Sequence, residues 1–198
     1  MQKYSSTLKS ISYLYPEMKK ASMLVLGGYD LEEIREKAIK DNIFMMNSES
    51  RKKQITSNII KRLEILDDYL IQKIAYGDLD TSKQIVFYSI LKTDRLFFEF
   101  IQEVYKEKIN LKNNIITDKD FNLFFHIKKE QSEQINSWTE QTIKKLIQIY
   151  KYILVESNLA ERRKKDIYVT RPLMDIELVD YLKNKGDTIY VESMLGEI

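Results

Sequence analysis

The chain has no cysteine among its 198 residues. That excludes disulfides, thiolate metal sites and cysteine nucleophiles, and it suits a reducing compartment. Glycine and proline are scarce, at 5 and 2. With so few turn formers and breakers, long regular elements are expected, and the Lys, Glu, Leu and Ile content points to helix. Long apolar runs are missing too. Stretches such as 23–26 fall far short of the roughly 20 residues a bilayer requires, and residues 1–15 lack the apolar segment of a secretory leader. No membrane partner is expected, and the cytoplasm is the expected location.

Catalytic signatures are equally thin. Gly27-Gly28 stands alone, without the Lys-Ser/Thr that completes a phosphate loop. His126 is the single histidine. A partly buried structural role is expected for it, because histidine metal and catalytic sites usually need a second His or a Cys. The carboxylate pairs Asp67/Asp68 and Asp78/Asp80 are explained by helix capping and solvation. No catalytic residue, metal, cofactor or small-molecule substrate is expected.

What is present is a substantial core and an uneven charge. Hydrophobic residues make up 43% of the chain, and the net charge is only +2. From Pro172 onward, Lys183 and Lys185 stand against Asp175, Glu177, Asp180, Asp187, Glu192 and Glu197. Basic residues gather instead in 48–62 and 161–171. Local basic patches on a nearly neutral chain point to a directed anionic partner.

The periodicity predicts a mainly α-helical protein. Residues 1–15 read as an extended arm. Pro16 opens a helix that Gly27-Gly28 closes, and Asp30 with Glu33 forms a capping box for the next. Asn47 or Ser48 caps a long third helix with the stripe Ile55, Ile59, Leu63, Leu66, Leu70 and Ile74, bent near Asp67-Asp68 and ended by Gly77. Ile85 to Leu91 is apolar all round, so its helix is expected at the centre. Asp94, Thr117 and Ser137 are expected to start the later helices, with 110–116 a loop. Residues 166–171 and 188–193 read as short strands around a helix at 175–185. The expected organisation is a multi-helix bundle with an arm (1–15), a helix-turn-helix-like region (16–78), a helical core (79–158) and a small wing-like C-terminal α/β element (159–198), with packing of all of these as one compact domain as the alternative.

The binding candidates are the basic clusters. Ser50, Arg51, Lys52 and Lys53 lie at a helix start, ahead of the buried stripe, where backbone N–H groups favour anions. Lys61 and Arg62 follow further along. Arg162, Arg163, Lys164 and Lys165 form a run near Arg171. A basic helix start held by a second helix across a tight connection is how helix-turn-helix proteins meet a DNA groove. A helical hairpin with a solvated basic end is the commoner source of the same pattern.

Two runs, LVLGGYDLEEIREKAIKDNIF and SRKKQITSNIIKRLEIL, resemble the BrxA family of BREX phage-defence systems. So do the segments DRLFFEFIQEVYKEK, DFNLFFHIKKEQ and SWTEQTIKKLIQIYKYILVESNL. The resemblance runs from about residue 10 to the C-terminus and carries no catalytic signature. Family members have been described as inner-membrane proteins, which the short apolar runs here contradict. The family is also described as similar to NusB-type antitermination proteins, which are helical and bind RNA. The resemblance thus implies a non-enzymatic nucleic-acid-binding protein within a multi-protein defence system. The expected partner is double-stranded DNA, with other defence-system proteins as further partners. An RNA-binding module and a docking subunit without nucleic acid are the alternatives.

Overall fold

A computed structural model describes residues 3–196 of the chain. The described residues are mainly helical, with one small antiparallel sheet. They divide between Thr93 and Asp94 into two compact units. One is Tyr13–Thr93; the other comprises the described residues up to Ser12 and from Asp94 onward.

The Tyr13–Thr93 unit is a set of five helices: α1 (Tyr15–Leu26), α2 (Leu31–Lys40), α3 (Glu49–Leu63), α4 (Asp68–Tyr76) and α5 (Leu79–Thr93). Pro16 lies in the first turn of α1. Past its end, Gly28 takes a left-handed φ of 91° while the Tyr29 N–H returns to the Leu24 carbonyl, the closure that glycine makes cheaply. Asp30 and Glu33 form the expected capping box on α2. In α5 every residue from Ile85 to Leu91 is buried. Within this unit α5 packs on α3 and α4.

The stripe from Ile55 to Ile74 is buried throughout, but it belongs to two helices rather than one bent helix. α3 ends at Leu63, and Asp67 starts α4 by accepting a hydrogen bond from the Leu70 N–H at 3.1 Å. The connection between α2 and α3 runs from Asp41 to Ser48. It is looser than the turn of about 3–4 residues in a helix-turn-helix.

In the second unit, Thr7–Ser10 forms a 3-10 turn against α10, and Leu8 and Ile11 are buried. The segment expected as an extended arm is therefore packed from Leu8 onward; Met1 and Gln2 lie outside the described residues. Next come α6 (Arg95–Phe100), a wider π turn at Ile101–Tyr105, α7 (Lys106–Asn110), β1 (Ile115–Ile116), α8 (Asp118–Gln131), α9 (Glu133–Asn136) and α10 (Glu140–Glu156). Strands β2 (Ala160–Arg163) and β3 (Asp166–Val169) precede α11 (Ile176–Asn184) and α12 (Thr188–Leu195). Asp94 and Thr117 cap α6 and α8 as expected, whereas Thr139 rather than Ser137 caps α10. Phe97, Phe100, Phe121, Phe125 and Tyr150 form the core, with Phe97 and Tyr150 edge to face at 4.8 Å.

Two strand expectations fail here. Ile115–Ile116, within the expected loop 110–116, pairs antiparallel with β3, giving the order β1-β3-β2. Residues 188–195 form a helix, not a strand. Val191, Met194 and Leu195 are buried together, and that spacing suits one face of a helix and no face of a strand. The sheet also ties residues 160–169 to β1 and α10.

A charged network sits beside the aromatic core. The Lys128 ammonium reaches Glu99 at 2.7 Å and Glu103 at 2.5 Å. Arg95 pairs with Glu99 at 2.7 Å and lies over the Tyr4 ring at 4.0 Å. Burial opposes the charge on Glu99, but hydrogen bonds from Lys128, Arg95 and Tyr4 outweigh it and hold its pKa below the ordinary value. Burial likewise opposes the charge on Lys128, and its bonds to Glu103 and Glu99 hold its pKa above the ordinary value.

Candidate nucleic-acid interface

The first basic cluster begins α3. Ser48 accepts a hydrogen bond from the Arg51 N–H at 3.2 Å, which satisfies one of the donors a helix start leaves open. Ser50 and Lys53 are exposed. Arg51 donates to the Gln54 side chain at 3.0 Å. Lys52 is tied down: it pairs with Glu49 at 2.7 Å and donates to the Ile39 carbonyl, so it fastens the end of α2 to the start of α3.

Further along α3 the cations turn structural. Lys61 donates to the Thr93 carbonyl at 2.7 Å, at the end of α5. Arg62 is only 2% exposed and donates to the Tyr13 carbonyl at 2.8 Å. The next residue, Leu14, holds a left-handed φ of 62°, a conformation a branched side chain adopts at a cost. Arg62 braces that turn and cannot meet a ligand. Its place in the candidate set is corrected: position 62 lies beside Leu63 on the buried face of α3.

The second cluster is a hairpin. Arg163 pairs with Asp166 across β2 and β3, leaving Lys164 and Lys165 as a two-residue turn. Lys164 takes a left-handed φ of 57°, where glycine is the usual choice. Arg162, Arg163, Lys164, Lys165 and Arg171 are all exposed. Arg163 lies over the Tyr168 ring at 4.7 Å and pairs with Glu161 at 3.0 Å.

The hairpin forms one wall of an open cleft of about 460 Å³. Arg162 and Lys165 face Lys144, Gln148 and Lys151 of α10 and Asp118 and Asn122 of α8. The single carboxylate, Asp118, is taken up by Lys151 at 2.6 Å. Lys151 also donates to the Lys165 carbonyl, and its side chain is only 12% exposed. It therefore holds the hairpin turn against α10 while leaving its charge at the cleft. A smaller groove continues along the same helices, sharing Asn122 and Lys144 and adding His126, Lys129 and the carboxylate of Glu140.

Lys129, Lys144 and Lys151 were not singled out from sequence. A signal was present: Asn122, His126 and Lys129 on α8, and Lys144, Gln148 and Lys151 on α10, each follow one helical face. What sequence lacked was the packing that turns these two stripes toward one another. His126 is a correction. Its side chain is 69% exposed and faces Glu130 at 3.3 Å, because Phe121, Phe124, Phe125 and Lys128 occupy the inner side of α8. Among the described residues no three His, Asp or Glu side chains converge to hold a metal ion, and no helix is long and apolar enough to cross a membrane.

Comparison with known proteins places the chain in a family. The BrxA family model matches residues 2–186. The chain belongs to the BrxA family. A curated relative from Bacillus cereus (strain H3081.97), named BREX protein BrxA, is 49% identical over 196 residues, covering 99% of this chain and 98% of the relative. The BrxA match spans the α3 start and every cation of the cleft. The fold recurs at greater distance. A crystal structure of an uncharacterized protein from Magnetospirillum magneticum aligns with a TM-score of 0.84 at 20% identity, covering 98% of this chain and 99% of that one.

Proposed function

We propose that this chain is a non-enzymatic component of a BREX phage-defence system that binds double-stranded DNA. The observation that carries the reading is the cleft between α8, α10 and the β2–β3 hairpin. Lys144, Lys151, Arg162 and Lys165 meet there around one neutralised carboxylate. Such a concentration of cations attracts phosphate without needing sequence-specific contacts. Asn122 and Gln148 add neutral hydrogen-bonding groups. The start of α3, with Ser50, Arg51 and Lys53, offers a second anion contact of the helix-turn-helix kind, though on a longer connection than that motif uses. Family membership supports the BREX assignment, and the curated relative's name carries it.

The test is an anisotropy titration with duplex DNA, single-stranded DNA and duplex RNA across a salt series. Duplex DNA is expected to bind tightest, with log affinity falling by about 0.9 per log salt for each phosphate neutralised. Preference for RNA would transfer the function to a NusB-like RNA-binding role. No binding at low salt would leave a docking subunit without nucleic acid.

A further inference from the structure

α8 has a second outward flank, and it is apolar. Leu123 is 59% exposed there, and across a groove Leu111 is 67% exposed at the end of α7. Ile127 lies one turn beyond Leu123, and Val104 and Phe124 line the same groove. The contributing positions recur at 120, 123, 124 and 127 on α8 and at 103, 104, 107, 108 and 111 on the facing segment. Each set is one face of a helix. Two helical walls with aliphatic side chains between them match the groove that receives an amphipathic helix.

The groove is not evenly charged. Lys108 and Asp120 neutralise each other at 2.7 Å. Glu103 turns its inner side to the buried Lys128 and is still half exposed. One turn on, the exposed Glu107 carboxylate has no ion-pair partner among the described residues. The π turn sits in this wall, and such insertions are frequent at functional sites.

We infer that this groove docks an amphipathic helix of another protein, with large aliphatic side chains along one face and Lys or Arg beside them opposite Glu103 and Glu107. A helix so placed covers Leu111, Leu123 and Ile127 and neutralises the open Glu107. This surface does not depend on the nucleic-acid reading. The basic cleft uses Asn122 and the hairpin, whereas the groove uses the flank through Leu123 and Ile127.

The probe is a hydrocarbon-stapled helical peptide with Leu at positions i, i+3, i+4 and i+7 and Lys beside them, paired with a Glu-flanked twin. Binding to the full chain is read by anisotropy and by methyl NMR shifts. The Lys peptide is expected to move the methyl signals of Leu111, Leu123 and Ile127. Both L123E and E107K should weaken it by at least about tenfold, since each places a like or unpaired charge against it. Leu123 and Glu107 are exposed, so both variants should keep the parent circular dichroism spectrum and duplex-DNA affinity. Equal binding of the two peptides, shifts confined to other methyls, or no binding would overturn the inference. So would self-association abolished by L123E, which makes a second copy the occupant, or recruitment to phosphatidylcholine vesicles abolished by L123E, which makes it a lipid surface.

Discussion

Arg62 and Arg162 are both members of basic clusters, and the two units use them in opposite ways. In the Tyr13–Thr93 unit three cations of α3 are spent on carbonyl oxygens: Lys52 on Ile39, Lys61 on Thr93, Arg62 on Tyr13. In the second unit Lys144, Arg162 and Lys165 stand exposed around a cleft; Lys151 and Arg162 donate to the hairpin's Lys165 and Lys164 carbonyls, yet Arg162 keeps its exposure while doing so. A run of basic residues therefore says little until the oxygen facing each cation is known. Helix ends and left-handed turns hold carbonyls that need a donor, and a lysine or arginine one or two turns away can supply it.

The largest test of that contrast lies with the buried cation of the second unit. Replacing Lys128 by Met leaves Glu99 and Glu103 facing a partly buried void in charge, and a loss of about 3 kcal/mol in denaturant unfolding is expected. The pH dependence has a definite sign. Glu99 has a lowered pKa, so its contribution is complete above its ordinary 4.5 and fades as pH falls through the depressed value. Lys128 has a raised pKa, so its contribution is complete below its ordinary 10.5 and fades as pH rises through the elevated value. The deficit of Lys128→Met should be largest between those limits and shrink on acidification, as Glu99 becomes neutral.

Arg62→Met comes next. It strands the Tyr13 carbonyl beside the Leu14 turn and should cost about 2 kcal/mol of stability, while duplex-DNA affinity of the folded protein stays unchanged. Lowered affinity at full stability would break the distinction between braced and open cations. The mirror experiment is the triple change Lys144→Glu, Arg162→Glu, Lys165→Glu. It should leave the unfolding midpoint within about 0.5 kcal/mol of the parent yet weaken duplex binding by about thirtyfold and flatten the salt slope. Unchanged affinity in this variant would remove the cleft from the interface. The smallest effect is at the hairpin tip. Lys164→Gly relieves a left-handed residue and should stabilise the protein by about 0.5–1 kcal/mol. A few-fold loss of DNA affinity in the same variant would show that the strained position is kept for its charge.

Legibility in the sequence followed locality. The capping box at Asp30/Glu33, the Thr117 cap and the all-apolar turns of α5 are encoded within a few residues, and they appear as expected. The α3–α4 break was hidden because Leu66 and Leu70 remain buried on either side of it, so the hydrophobic rhythm continues while the backbone does not. β1 was hidden because its partner, Ile167 to Tyr168, is far along the chain and two residues carry no period. Taken alone, 188–193 suits a strand, because Met194 and Leu195, which complete the helical face, lie just beyond it. For the binding surface, the hairpin run was visible as charge, the lysines of α10 were visible only as an ordinary polar stripe, and the burial of Arg62 had no local signature at all.

The sheet order β1-β3-β2 leaves β2 as an outer strand, with Glu161, Arg162 and Arg163 along it. A strand with one unpaired side invites another copy to add itself, and charged side chains are the usual deterrent. The arginine charges proposed to attract phosphate thus also act as a colloidal safeguard. Replacing them with threonine or valine, a natural choice for erasing charge, would turn a solubilising margin into an adhesive one. Light scattering that grows with protein concentration is the expected signature, and it is the reason charge reversal is the sounder probe of this hairpin.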